Sequence, residues 1–213
     1  MLDDYSNLDL LLSRFPELVV CRDDIMAAYR LLADCYDRGG CVFTCGNGGS
    51  AADAEHIVGE LLKGFVRKRP LNERDRNDFI AAGEDGAVLA DRLQYGLRAV
   101  CLMSQTAISS AVANDLGGDL GPAQQLFALG QPGDVLIAIS TSGNAANVRY
   151  ALRVARQRGL RSIGLSAGEG GKLAQLADVC IRVPAKETYL AQEYHLPIYH
   201  CLCIMLEARY FPK

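Results

Sequence analysis

Residues 45–64 read CGNGGSAADAEHIVGELLKG and gather several kinds of chemistry in one stretch. Gly46, Gly48 and Gly49 let a backbone approach a ligand closely, and Ser50 is placed to cap a helix or donate to an anion. His56 and Glu60 stand four apart in a helical pattern, so their side chains share a face. That spacing suits one metal ion, a base paired with an acid, or an ordinary surface pair. A second stretch, STSGNAAN at 140–147, supplies the hydroxyls of Ser140, Thr141 and Ser142 and a tight turn at Gly143. Free N–H groups at a helix N-terminus attract phosphate without needing a lysine. Each loop alone reads as a capped strand-to-helix turn; paired in equivalent positions, they suggest a phosphorylated small molecule. Neither GNGGS nor STSGN completes the dinucleotide fingerprint, and the chain lacks a G-x-x-x-x-G-K-[ST] loop. A sugar phosphate held at the glycine loop would present its carbonyl end to His56 and Glu60. Glutamate is a suitable base for a proton next to a carbonyl, and an imidazole or a metal stabilises the enediolate that results.

These residues must be positioned by an α/β scaffold. Apolar runs at 41–45, 99–103, 134–140, 162–166 and 178–183 predict five strands, nearly continuous in apolarity and so covered on both faces, as in a parallel sheet. SAADAEHIVGELL, AANVRYALRVARQRG and GKLAQLA predict helices between them, with Gly159 as a stop signal. Residues 5–38 read as two helices broken at Pro16, and a C-terminal helix runs from about Tyr189 to Tyr210, kinked near Tyr194 by Pro197. The polar segment 71–98 is a long inserted connection, predicted to carry a short helix over AVLADRLQYGL and otherwise exposed loop. The basic run Arg67, Lys68, Arg69 precedes Glu73, Asp75 and Asp78 and reads as a solvated face. With 213 residues, half of them hydrophobic, the chain is read as one domain over 1–213, with N-terminal helices over 1–40.

A net charge of −3 gives no global excess with which to neutralise a nucleic-acid backbone. The acidic start lacks a secretory pattern, and no run approaches the roughly 18 apolar residues of a membrane span, so a cytoplasmic location is expected. Of eight cysteines, Cys41, Cys45, Cys101, Cys180 and Cys203 lie in or beside apolar runs and read as reduced core thiols. Their spacing does not match a structural zinc site.

Taken together, CGNGGSAADAEHIVGE, ANDLG, GDVLIAISTSGNAANV and QEYHLPIYH resemble the sugar isomerase (SIS) domain family, and within it the phosphoheptose isomerases. The resemblance covers nearly the whole chain outside 71–98. It implies a flavodoxin-like three-layer sandwich on a five-stranded parallel sheet, and a homotetramer with sites shared between subunits. It also implies isomerisation of sedoheptulose 7-phosphate to D-glycero-D-manno-heptose 7-phosphate, a step towards lipopolysaccharide heptose. Zinc is the implied metal, with ligands falling on His56, Glu60, Gln192 and His200. Glu60 matches the enediol base and His200 its acid–base partner. The implied substrate contacts fall on Asn47, Gly48, Gly49, Ser50, Glu60, Asn114, Asp115, Ser140, Thr141, Ser142 and Gln192.

Gln192 and His200 are eight apart, about 12 Å along an ideal helix, too far for one ion. Either Gln192 precedes the helix, Pro197 distorts it, or two subunits contribute; His195 is the substitute ligand. Ala145 and Tyr189 depart from the family pattern, which carries a phosphate-contacting serine and a sugar-contacting aspartate there, and so bear on which sugar is bound. Two other functions fit the same resemblance. One is a non-catalytic relative that binds the replication initiator DnaA, which HCLCIMLEARYFP resembles; the other is a sugar-phosphate sensor.

Overall fold

The computed structural model describes residues 5–212, so the outermost positions of the 1–213 span lie outside it. Five strands form one sheet: β1 (Val42–Cys45), β2 (Ala99–Cys101), β3 (Val135–Ile139), β4 (Arg161–Ala167) and β5 (Val179–Val183). The order is β2-β1-β3-β4-β5, and every pairing is parallel. All five fall on the predicted apolar runs. Alternate residues feed opposite faces: Val42, Val135, Ile137 and Ile139 join one apolar cluster, while Phe43, Cys45, Leu136 and Ala138 join the other. A two-residue side-chain period with both faces covered makes the three-layer sandwich that near-continuous apolarity requires.

One face is covered by α1 (Tyr5–Arg14), α2 (Arg22–Asp37), α3 (Gly49–Leu62) and α10 (Thr188–Tyr210), the other chiefly by α7 (Gly121–Leu129), α8 (Ala146–Arg158) and α9 (Gly171–Leu176). Pro16 opens a 3-10 turn, Pro16–Cys21, which separates α1 from α2 where the break was expected. Helix α10 continues through Pro197 over 23 residues. All eight cysteines are free, and all but Cys180 are buried.

The 71–98 connection differs from expectation. Besides α5 (Gly86–Arg92) it contains α4 (Glu73–Ala81), where an exposed loop was predicted, and the α5 helix stops well short of Gly96 and Leu97. The side chain of Asn72 accepts the Asp75 N–H at 2.8 Å, capping α4. No α4 residue is buried, so it offers no apolar stripe by which periodicity could reveal it. The two helices form a hairpin, with Arg76 Nη1 donating to the Ala90 carbonyl at 2.7 Å and the Tyr95 hydroxyl bonded to the Asp75 carboxylate. An antiparallel bridge between Pro70 and Gln94 closes the base. Helix α6 (Thr106–Asp115) follows β2 and leads into α7.

Arg69 also departs from expectation, because it is buried instead of lying on a solvated face. Its guanidinium is 2.9 Å from Glu207 on α10, and both side chains are fully buried. Glu207 also accepts the N–H groups of Phe65, Val66 and Arg67 at 2.8, 3.0 and 3.0 Å. Arg69 meanwhile donates to the carbonyls of Leu61 and Glu60 at 2.8 and 3.1 Å, satisfying the C-terminal end of α3. Removing one partner from such a pair leaves an uncompensated buried charge, at a cost of about 3–5 kcal/mol. Glu207→Leu should lower the unfolding free energy by that amount in urea titration.

Candidate active site

In an open α/β sheet, ligands bind beyond the strand carboxyl ends where the strand order reverses. In the order 2-1-3-4-5 that point lies between β1 and β3, and the glycine and hydroxyl loops leave these two adjacent strands. Gly48 adopts φ +55° ahead of α3, a left-handed conformation that favours glycine. Ser50 is buried at the start of α3, while Asn47, Gly48 and Gly49 remain exposed. In the second loop Ser140 is buried, Ser142 is exposed, and the Gly143 N–H donates to the Ser140 carbonyl at 3.0 Å. Gly143 lies at φ +67°, and a Cβ there would sit 1.9 Å from the Gly170 carbonyl oxygen, so the loop packs on the turn before α9.

The two loops are tied together by a residue that sequence reasoning did not single out. Asn47 Nδ2 donates to Asn147 Oδ1 at 2.9 Å, and Asn147 Nδ2 returns a bond to Asn47 Oδ1 at 2.8 Å. Asn147 stands in the quoted GNAAN, but periodicity assigned it only to a helix start.

Helix α3 divides its faces. Ser50, Ala54, Ile57 and Leu61 are buried, while Asp53, His56 and Glu60 lie along another stripe that meets α10. His56 Nε2 is 3.1 Å from Glu60 Oε1 and 3.4 Å from His200 Nε2. On its other side, His56 Nδ1 is 3.0 Å from the Tyr199 hydroxyl, which donates to Asp53 Oδ1 at 3.2 Å. Lys63 Nζ is 3.3 Å from Glu60 Oε2. Burial, then the neighbouring His56, lowers the His200 pKa; burial raises that of Asp53 against the opposing Tyr199 hydrogen bond and His56 charge.

The structure thus brings His56, Glu60 and His200 together, but not the remaining predicted ligand. Gln192 lies inside α10, so it does not precede the helix, and a Cβ on Gly49 would fall 2.4 Å from its Nε2. Its amide therefore packs on the glycine loop. Among the described residues, no group of three or more His, Cys, Asp or Glu side chains is already gathered as a metal ion would need. Asn114 and Asp115 are exposed at the end of α6, with Asn114 Nδ2 donating to Asp115 Oδ1 at 2.7 Å. No hydrogen bond among the described residues joins them to either loop.

His195, the proposed substitute ligand, is a core residue. It is fully buried, its Nε2 is 3.2 Å from the Ser166 carbonyl oxygen, and its Nδ1 has no partner. The Ser166 hydroxyl donates to the Thr141 carbonyl at 3.2 Å, so His195 supports the second loop from beneath.

The SIS domain signature matches residues 8–76 and 119–204, leaving most of the inserted connection between the matched segments. The phosphoheptose isomerase of Thiobacillus denitrificans is 43% identical over 177 residues, covering 82% of this chain and 77% of that protein. That of Rhodospirillum rubrum is 38% identical over 193 residues, covering 91% and 89%.

The chain belongs to the phosphoheptose isomerase family of SIS-domain proteins.

The solved phosphoheptose isomerase of Neisseria gonorrhoeae superposes with a TM-score of 0.70 at 30% identity, covering 94% of this chain and 98% of that one. This phosphoheptose isomerase family member therefore shares its fold with a solved relative over nearly its full length. Among the described residues no helix is long and apolar enough to cross a membrane.

The buried His195 has a consequence in acid. Burial lowers its pKa from 6.5 to about 4, against the opposing Ser166 hydrogen bond. Above pH 6.5 both folded and unfolded chains hold it neutral; below 6.5 the unfolded chain takes up the proton first. Stability present above the unfolded pKa is thus lost as pH falls towards the folded one. At about 1.4 kcal/mol per pKa unit the loss amounts to about 3 kcal/mol. Urea midpoints across this window should fall less steeply for His195→Gln than for the parent chain.

Proposed function

We propose that this chain interconverts sedoheptulose 7-phosphate and D-glycero-D-manno-heptose 7-phosphate through an enediol. The observation carrying the proposal is the contact of Glu60 with His56, and of His56 with His200 on α10, the first two standing about two and three turns along the helix that starts at the glycine loop. The phosphate is held by Ser50, by Ser140, Thr141 and Ser142, and by the N–H groups that open α3 and α8. Asn47, Gly48, Gly49 and Gln192 surround the same anion-binding end, and Asn114 and Asp115 complete the contacts that family membership implies. Glu60 takes the proton from the carbon beside the carbonyl and returns it to the neighbouring carbon. His200, whose pKa burial and the neighbouring His56 lower, moves the proton between the two oxygens.

The donor set fits zinc. Two imidazole nitrogens and a carboxylate are ligands it commonly takes. His56 Nε2 lies 3.1 Å from Glu60 Oε1 and 3.4 Å from His200 Nε2, so binding an ion would have to draw the three side chains into one set. His56, Glu60 and His200 are the ligands within one chain. Gln192, whose amide packs on the glycine loop, is the fourth ligand that the family resemblance implies. Bound there, zinc would supply positive charge to stabilise the enediolate oxygens.

A homotetramer with shared sites accords with the exposed apolar side chains of Leu10, Val19, Val20, Leu62 and Val66. A cytoplasmic location accords with eight free cysteines.

Turnover of sedoheptulose 7-phosphate in deuterated water tests the proposal, with zinc-loaded and chelated protein run in parallel. Metal-dependent product carrying solvent deuterium is the expected result, and Glu60→Gln should lower kcat by at least about 100-fold. Ligand binding without exchange would replace the isomerase with a sensor. Absence of both binding and turnover across a panel of sugar phosphates would overturn the catalytic reading.

A further inference from the structure

We propose that Asp53 and Tyr199 are positioning residues that hold His56 as its Nδ1–H tautomer, aiming an unprotonated Nε2 at Glu60 and His200. The inference rests on the reading of His56 as a metal ligand, and deepens it.

A count of protons carries the argument. The Tyr199 hydroxyl has one proton, and two groups face it: Asp53 Oδ1 at 3.2 Å and His56 Nδ1 at 3.0 Å. A carboxylate can only accept, so the phenol proton goes to Asp53. The phenol oxygen then accepts, and His56 Nδ1 must be the donor. A neutral imidazole carrying its proton on Nδ1 presents a lone pair at Nε2. That nitrogen faces Glu60 Oε1, which can only accept, and His200 Nε2, which in its own Nε2–H tautomer can donate to the lone pair. Without the tyrosine, the carboxylate of Glu60 would draw the imidazole proton onto Nε2, the atom a metal needs free.

Burial reinforces the assignment. Tyr199 is 2% exposed, with its ring edge-on to His56 at 5.4 Å and to His200 at 5.0 Å, so its hydroxyl cannot swing to solvent without repacking. Asp53 Oδ2 is buried without a hydrogen-bond partner, leaving Tyr199 as the donor that holds this carboxylate. Asp53 and His56 are three apart on α3, so carboxylate and imidazole stand on one face with the phenol inserted from α10. Groups of this kind around a metal-binding histidine fix its tautomer and ring orientation, and losing them costs about 10–100-fold in metal affinity.

The test uses the full-length chain labelled with 15N-histidine, stripped of metal by a chelator, at about pH 8, where an ordinary histidine is neutral. His56→Gln assigns the signals. Long-range 15N–1H correlations should show His56 protonated on Nδ1. Tyr199→Phe keeps the ring and removes the acceptor, and Asp53→Ala frees the phenol proton for Nδ1. Both should move the imidazole proton to Nε2 and weaken zinc binding by about 10–100-fold in chelator competition. A parent chain already protonated on Nε2 would overturn the proposal, as would two folded variants that keep the parent tautomer. A tautomer shift in a chain inactive on every sugar phosphate would uphold the positioning role while removing the proposed reaction.

Discussion

The buried pair of Arg69 and Glu207 is the constraint on which the site depends. The carbonyls at the end of α3 need donors, and the three N–H groups of Phe65, Val66 and Arg67 need an acceptor where the chain turns away. One guanidinium and one carboxylate meet both needs and bind each other. Glu207 belongs to α10, so closing the end of α3 also sets its position along α10. Glu60, whose carbonyl Arg69 caps, and His200, two turns before Glu207, are thereby brought to one place. A buried ion pair is weak evidence for added stability. Here its worth is geometric, because it couples two helices through polar groups that leave few alternative registers.

The sheet supplies the other half of the placement. Parallel order with a reversal between β1 and β3 sends the loops that follow these two strands to the same end and side by side. The glycine loop then begins the helix carrying His56 and Glu60, so the loop and these two side chains are separated along α3 by its own rise. Ser50, His56 and Glu60 thus share one rigid element, and their mutual spacing does not depend on loop conformation.

The strands were legible because burial on both faces leaves short, unbroken apolar runs between helices whose apolar residues recur at helical intervals. His56 and Glu60 were legible because helical spacing alone puts them on one face. What escaped had partners far away or no buried face. Arg69 sits among charges in sequence, and nothing local shows that its partner lies 138 residues on. Helix α4 buries nothing, so its pattern matches that of a polar loop. Tyr199 looks like one more large residue in an apolar helix until Asp53 and His56 stand beside its hydroxyl. His195 misled for the opposite reason, because a histidine near a candidate ligand set invites a role in it, whereas burial against Ser166 makes it part of the core.

The bridge between Asn47 and Asn147 is built from two neutral amides, each donating once and accepting once. Neither group titrates in the range where histidines and carboxylates change charge, and neither attracts counterions as an ion pair would. The width of the gap between the two loops is therefore insulated from acidity and ionic strength. The side chains along α3 can change their protonation while the frame above them keeps its dimensions.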